Sequence, residues 1–143
     1  MHIKFILIGK IKEKAYNKKI QKYQEWLSRD TKFEIVVVKD SNLDKIEYQI
    51  SKHKKNNFFC VCLSEKGENL DSNSFSSFIF NNKEKIVFIL GGPDGYPETL
   101  IKKTDFNLSL SKMTMPHEMA ALVLIEQLFR AFSIKKGSKY HRN

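Results

Sequence analysis

Short apolar runs alternate along the chain with longer segments in which apolar residues recur every three or four positions. The runs are apolar almost throughout, which is typical of parallel strands that are buried on both faces of a sheet. The longer segments have the spacing of helices and the length of the crossovers that parallel strands require. The predicted strands are residues 2–9, 32–40, 58–63, 85–92 and, shorter than the others, 105–111.

Helices are predicted between and after these strands, at residues 13–27, 42–56, 72–82 and 116–134. Ser41 or Asn42 has the side chain of an N-cap for the second helix, and the third helix has the weakest spacing. No repeat, low-complexity tract or linker interrupts the alternation. The sequence therefore predicts an α/β fold in which a single domain, residues 1–143, holds a parallel sheet with helices on both faces.

The last predicted helix is apolar over more than half of its circumference, which indicates that it is covered on more than one side. Pro116 suits its first turn. Because one side of this helix can pack on its own sheet and another on a second copy of the chain, we expect a symmetric homodimer. Its apolar residues are Met119, Leu122, Val123, Leu124, Ile125, Leu128, Phe129, Phe132 and Ile134.

The net charge of +9 favours a polyanionic partner, since lysines near phosphates gain free energy from counterion release. Only three of the 25 basic residues are arginine, so biased codon usage is an alternative source of the lysine excess. Neither a signal peptide nor an apolar run long enough to span a membrane is found, and we expect a cytoplasmic protein.

Cys60 and Cys62 lie two positions apart in a predicted strand and therefore face the same side of it. A disulfide between such neighbours would be strained, so a buried structural role is expected. The four histidines supply no paired ligand motif, and we predict no metal site.

Three glycines and two prolines follow the fourth strand, from Gly91 to Pro97. In an open α/β sheet, ligands bind beyond the carboxyl ends of the strands, and glycine lets a ligand approach the main chain. The motif is not a dinucleotide fingerprint, since that would follow the first strand. A tight structural turn is the alternative.

A second loop, LSLSKMTMPHEM, leads into the last helix. Its free backbone groups suit the polar edge of an adenine, and its thioethers suit the faces of the ring. The alternative is a connector whose methionines fill the core.

Together with the motifs LGGPDG and LIEQLFRAF, the opening IKFILIGKIKEK and the terminal KYHRN, this loop has the order and spacing of the RlmH family. Over essentially its whole length the chain resembles these SPOUT-class RNA methyltransferases. The resemblance implies methylation of N3 of a pseudouridine in the helix 69 stem-loop of 23S ribosomal RNA. It also implies S-adenosylmethionine as cofactor, the ribosome or its large subunit as substrate, a homodimer, and a C-terminal trefoil knot.

The same resemblance implies the cofactor site. Its residues fall at the end of the third strand, in the glycine loop and in the second loop. They are Leu63, Gly91, Gly92, Leu110, Ser111, Lys112, Met113, Thr114 and Met115.

The catalytic candidates are His117, Arg130, Tyr140 and His141, since N3 of the base must lose a proton. We expect the C-terminal tail to reach the cofactor pocket. The structural alternatives are that His117 caps or packs at the helix start, that Arg130 pairs only with Glu126, and that the tail is frayed.

Two positions depart from the family pattern. Ala121 replaces a frequent arginine, and Phe129 replaces a frequent tyrosine. The RNA contacts are therefore less transferable than the cofactor site, and lysines of the first loop and helix are candidates for them: Lys10, Lys12, Lys14, Lys18 and Lys19. A solvated helix face is the alternative for these lysines. The rival functions are a non-enzymatic RNA-binding dimer and an α/β enzyme that binds another nucleotide.

Overall fold

The computed structural model describes residues 1–39, 42–91 and 96–142. Within these residues every predicted strand and helix is confirmed, and one short helix was not predicted; Asp40 and Gly92, the last residues of two predicted strands, lie outside the described residues. The elements are β1 (His2–Ile8), α1 (Lys14–Leu27), β2 (Lys32–Val38), α2 (Leu43–Lys55), β3 (Phe59–Asn69), α3 (Ser72–Phe80), β4 (Lys85–Leu90), α4 (Glu98–Ile101), β5 (Phe106–Ser109) and α5 (His117–Lys136).

The five strands form one parallel sheet in the order β2-β1-β4-β3-β5. Phe5 in β1 lies between Ile35 of β2 and Phe88 of β4, so the most apolar strands occupy the middle of the sheet. Because all strands point the same way, their carboxyl ends meet at one edge, where ligands bind in folds of this type.

Helices cover both faces of the sheet, as predicted. One apolar cluster contains Phe5 and Phe88 together with residues of α1, α3 and α5. The other contains Ile6 and Ile89 together with residues of α2 and α4. Since successive strand residues point to opposite faces, β1 and β4 contribute alternately to the two clusters.

The third strand is longer than predicted, because its pairing with β5 resumes after a bulge. Leu63 pairs with Leu108, and after the irregularity Glu68 pairs with the same leucine. A Cβ atom at Gly67 would lie only 2.6 Å from the carbonyl oxygen of Asn107. Glycine is therefore required where the two backbones approach most closely.

Helix α2 begins as the sequence indicates. Asn42 is its N-cap, and the side chain of Asn42 accepts a hydrogen bond from the backbone N–H of Asp44 at 2.9 Å. Ser41, the other candidate, lies outside the described residues.

The two cysteines have the structural role expected of them. Cys60 and Cys62 are free thiols and are almost fully buried. Burial raises the pKa of Cys60 to about 12 and also raises that of Cys62, so both stay protonated at neutral pH.

Helix α5 is the central helix on its face of the sheet. Leu124, Ile125 and Leu128 are fully buried, and α1 and α3 of the same chain flank the helix. The helix continues past Ile134 to Lys136 and ends at Gly137, whose φ of 71° is left-handed. Its own chain therefore covers much of the apolar circumference, and the homodimer stays a prediction.

No helix in the described part of the chain is both long and apolar enough to cross a membrane. The trefoil knot likewise stays a prediction.

Candidate active site

A cavity of about 790 Å³ opens at the carboxyl edge of the sheet. Its walls come from the ends of β3 and β4, from α4, from the loop after β5 and from the first turn of α5. This volume is within the range of pockets that hold drug-sized or cofactor-sized ligands.

The cavity brings together the segments that the sequence assigns to a cofactor. Leu63 comes from β3 and Gly91 from the end of β4, and the loop after β5 supplies most of the remaining wall. Lys112 is exposed and does not line the cavity, and Gly92 lies outside the described residues. The predicted residues that line it are Leu63, Gly91, Leu110, Ser111, Met113, Thr114 and Met115.

Hydroxyl groups hold the second loop in shape. The buried Ser109 donates a hydrogen bond from its Oγ to the carbonyl of Ser111 at 2.9 Å. The Oγ of Ser111 accepts from the backbone N–H of Met113 at 3.0 Å, and Thr114 Oγ1 donates to a carboxylate oxygen of Glu65 at 2.5 Å. The alternating serines and threonine of this loop therefore fold it back on itself and tie it to β3.

The methionines of this loop do not fill the core. Met113 is 79% exposed at the rim of the cavity, and Met115 is half-buried in its wall. A flexible thioether at the mouth of an open cavity is available to pack on a ligand. The alternative of a simple core-filling connector is therefore wrong for Met113.

The predicted set omitted two carboxylates that line the cavity. Glu65 belongs to the extension of β3, and Glu98 begins α4. Lys66, in the same extension of β3, also lines the cavity and carries a positive charge. The extension was missed because its residues SEKGEN lack the apolar run of a buried strand, and α4 was missed because it has only four residues.

Tyr96 is a further residue that the sequence interpretation passed over. Its hydroxyl donates to the carbonyl of Leu63, and the carbonyl of Ile89 lies 3.3 Å away as a second acceptor. Burial raises the pKa of Tyr96, and the neighbouring Cys62 raises it further, so the phenol remains a donor. Tyr96 thus joins the ends of β3 and β4 beneath the cavity. An aromatic residue within a turn of small residues was the available signal.

His117 lines the cavity at the start of α5. The N-cap of this helix is Pro116, whose ring has no atom that can accept a hydrogen bond from the first turn. His117 is therefore not the N-cap, and since it is half-buried in the cavity wall, the alternative that it only packs at the helix start stays open.

The other three catalytic candidates lie together on the second half of α5. The Nε atom of Arg130 donates to Glu126 at 2.8 Å as an i,i+4 pair, but the alternative that Arg130 pairs only with this residue is wrong. The guanidinium group also lies 4.8 Å from the ring centroid of Tyr140. Its Nη1 atom is 3.1 Å from Nδ1 of His141. The tail is therefore packed on α5.

The contact between Arg130 and His141 determines a tautomer. A guanidinium group has only donors, so Nδ1 of His141 must accept, and its proton is then on Nε2. Burial raises the pKa of Tyr140 most, and the hydrogen bond with Tyr23 raises it further. The Tyr140 hydroxyl contacts that of Tyr23 at 3.3 Å and donates to Oε1 of Glu126 at 3.4 Å, so it is engaged within the same cluster.

Within one chain the tail does not line the cavity. His117 and Arg130 are separated by thirteen positions of α5, which corresponds to about 20 Å at 1.5 Å per residue. The structure thus brings His117 to the cavity and places Arg130, Tyr140 and His141 in a separate cluster of the same chain.

The two departures from the family pattern have different surroundings. Ala121 is 2% exposed within the core, whereas Phe129 contacts Tyr23, Trp26 and Tyr140 near the surface. The aromatic group at position 129 thereby supports the packed tail.

Relatives of this chain are found along its whole length. A family model described as "Predicted SPOUT methyltransferase" matches residues 1–141. Ribosomal RNA large subunit methyltransferase H of Acetivibrio thermocellus is 37% identical, and the match covers 99% of this chain and 100% of that protein. The protein of the same name from Clostridium kluyveri is 35% identical with the same coverage.

Solved structures agree at the level of the fold. A Haemophilus influenzae protein described as a probable methylase family protein has a TM-score of 0.63 and 14% identity, covering 99% of this chain and 70% of that one. The SpoU methyltransferase AviRb of Streptomyces viridochromogenes, in complex with the cofactor AdoMet, has a TM-score of 0.52 and 10% identity, covering 97% and 59%. The chain belongs to the SPOUT methyltransferase family.

Proposed function

We propose that this protein transfers a methyl group from S-adenosylmethionine to ribosomal RNA of the large subunit. The observation that carries the proposal is the convergence of Leu63, Gly91 and the segment from Leu110 to Met115 on one cavity. Membership of the SPOUT family and the names of the full-length relatives support the same activity.

The residues of the cavity fit this cofactor. Leu63 and Leu110 offer apolar surface for an adenine ring, and the backbone of the second loop offers donors and acceptors for its edge. The carboxylates of Glu65 and Glu98 favour a ligand with positive charge. Because these two carboxylates outnumber the single lysine of the lining, Lys66, the phosphates of ATP or NAD would meet net negative charge, which argues against the rival that binds another nucleotide.

S-adenosylmethionine, when bound, supplies a methyl group made electrophilic by a sulfonium. The protein must hold the acceptor nitrogen in line with that group and provide a destination for the N3 proton. The candidates to accept this proton are His117, which lines the cavity, and His141 of the tail. Arg130, which keeps its charge because Glu126 raises its pKa, suits a phosphate or the developing anion of the base.

The finer parts of the proposal concern the substrate and its setting. We propose N3 of a pseudouridine in the helix 69 stem-loop of 23S RNA, in the assembled ribosome or its large subunit, and a cytoplasmic location. The net charge of +9 agrees with a polyanionic substrate.

The proposed enzyme is a homodimer. Met113 is 79% exposed at the cavity rim, and Met119 is 37% exposed near the start of α5, so apolar surface beside the cavity remains uncovered. Because the tail of each chain packs far from its own cavity, a role for Tyr140 or His141 in methyl transfer requires the cavity of a second copy.

Calorimetric titration with S-adenosylmethionine, ATP and NAD, each separately, tests the cofactor assignment. Binding of S-adenosylmethionine alone is the expected result, and binding of only ATP or NAD would overturn it. Mass spectrometry of ribosomal RNA from cells that lack the protein should then show the loss of one methyl group. An unchanged methylation pattern would favour the non-enzymatic RNA-binding dimer.

Replacement of Tyr96 with Phe should weaken S-adenosylmethionine binding. The change removes the hydroxyl that joins the carbonyls of Leu63 and Ile89, and a hydrogen bond of this kind contributes about 1 kcal/mol. We expect the dissociation constant to rise about 5-fold by calorimetry, with little change in RNA affinity. Loss of folding stability with an unchanged cofactor affinity would show that Tyr96 does not position the cavity.

A further inference from the structure

A second groove lies at the edge of the sheet farthest from β5, where β2 meets the first half of α2. It has a volume of about 420 Å³. The side chain of Tyr48 is 62% exposed in it, and Val37 is 45% exposed. The residues that line the groove are Val37, Val38, Lys39, Asp44, Lys45, Tyr48 and Gln49.

Exposed apolar side chains are concentrated in this region. Val36, Val37, Leu43 and Tyr48 make up half of the eight large apolar residues that are exposed in the described part of the chain. Of these four, only Val37 and Tyr48 line the groove, beside the charged residues Lys39, Asp44 and Lys45, and exposed apolar surface rimmed by charge is typical of an interaction site. The cofactor cavity does not account for it, since none of these four residues lines that cavity.

Lysines adjoin the groove. Lys39 lines it, and Lys10 is close because the preceding residue, Gly9, donates its backbone N–H to the carbonyl of Val38 at 2.7 Å. Lys10, Lys12 and Lys39 are exposed, and within residues 1–39, 42–91 and 96–142 no carboxylate forms an ion pair with any of them. Their charge is therefore available to an anion.

The loop after β1 connects this groove to the cofactor cavity. The backbone N–H groups of Lys12 and Glu13 both donate to Oε1 of Glu118 at 2.9 Å. Glu118 follows His117, which lines the cavity. From Gly9 to Glu13 the chain spans at most about 14 Å, so the groove and the cavity mouth are joined by a short lysine-bearing segment.

We propose that the groove beside Tyr48 binds a base of the RNA substrate by stacking, while Lys10, Lys12 and Lys39 contact the phosphates between this base and the methylation site. This inference rests on the proposed function and names a substrate contact for it. The combination of an aromatic platform with a basic path is the usual way in which proteins hold single-stranded RNA.

RNA fits the groove better than an apolar protein surface does. Lys39 lines the groove and forms no ion pair with a carboxylate in the described part of the chain, so an apolar protein surface packed here would leave its charge unpaired. The ring of Tyr48 stands on the outer side of α2, two positions after the buried Ile46, where a base can reach its face.

Binding of large ribosomal subunits, measured by co-sedimentation, tests the proposal with four variants. Tyr48→Ala should raise the dissociation constant at least about 5-fold. Tyr48→Phe, which keeps the ring, should have most of the affinity of the unaltered protein. Lys39→Gln should lower the slope of binding against salt concentration by about one. Lys32→Gln, at the first residue of β2 and so at the end of the strand away from Lys39, is the matched control and should leave the slope unchanged.

A photo-crosslinker in place of Tyr48 identifies the occupant directly. A crosslink that nuclease removes supports the proposal, and a crosslink only to a ribosomal protein overturns it. Unchanged affinity of Tyr48→Ala would also overturn it. These readouts do not depend on methyl transfer, whereas a failure of S-adenosylmethionine binding by the unaltered protein would count against the proposed function itself.

Discussion

Replacement of Gly67 with Ala should destabilise the protein by about 2 to 3 kcal/mol, which is near the upper end for overpacking. The new Cβ would lie 2.6 Å from the carbonyl oxygen of Asn107 and 2.8 Å from its carbonyl carbon. Because these atoms belong to the backbone of β5, no side-chain rotation can relieve the contact. Chemical denaturation measures the loss.

The same change should also impair the cofactor cavity. Pairing of β3 with β5 resumes at Glu68, immediately after Gly67, and the extension of β3 carries Glu65, which holds Thr114. Separation of the two strands therefore moves the wall formed by the second loop. We expect S-adenosylmethionine affinity to fall at least about 10-fold by calorimetry, since more than one wall contact is displaced.

Glu68→Ala provides the control for this variant. Glu68 is exposed and lies in the same strand, so its replacement should change stability by no more than about 0.5 kcal/mol. If Gly67→Ala and Glu68→Ala were equally stable, the close approach of β3 and Asn107 would not exist in solution.

The buried strands and long helices could be predicted because each carries its own signal. The apolar run that becomes β4 is buried at five of its six positions, and the helical spacing of α2 places Ile46 and Ile50 in the core. In such segments the sequence pattern and the tertiary environment agree.

The extension of β3 could not be predicted, because a distant segment stabilises it. Residues 64–69 are mostly polar and form a strand only through pairing with β5 across the bulge. The role of Tyr96 was missed for a related reason. Its hydroxyl bonds to the backbone carbonyls of Leu63 and Ile89, and a sequence does not show which backbone groups a side chain will contact.

The location of the cofactor residues could be predicted from the sequence, whereas the location of the catalytic candidates in the tail could not. Family motifs predicted which segments meet at the cavity, because strand ends in a parallel sheet share one edge. The tail has no such constraint, and its sequence alone indicated fraying. In the structure Tyr140 packs on Phe129, so the tail is ordered at a place that spacing could not predict.

Mixed dimers should show that the tail acts on the cavity of the partner subunit. His141→Ala removes the tail imidazole, and loss of an acid or base group typically lowers the rate by about 100-fold or more. Ala120→Trp places a large side chain on the cavity wall and should block the cofactor. Each variant alone is therefore expected to be nearly inactive in a methyl-transfer assay on large ribosomal subunits.

A dimer with one subunit of each variant has one open cavity, in the His141→Ala subunit, and one intact tail, in the Ala120→Trp subunit. If the tail acts across the interface, this dimer should recover about half of the normal rate, because one of its two sites is complete. If the tail acted within its own chain, the mixed dimer would be as inactive as its parents. Full activity of the His141→Ala homodimer would remove His141 from the reaction altogether, leaving His117 as the histidine at the methylation site.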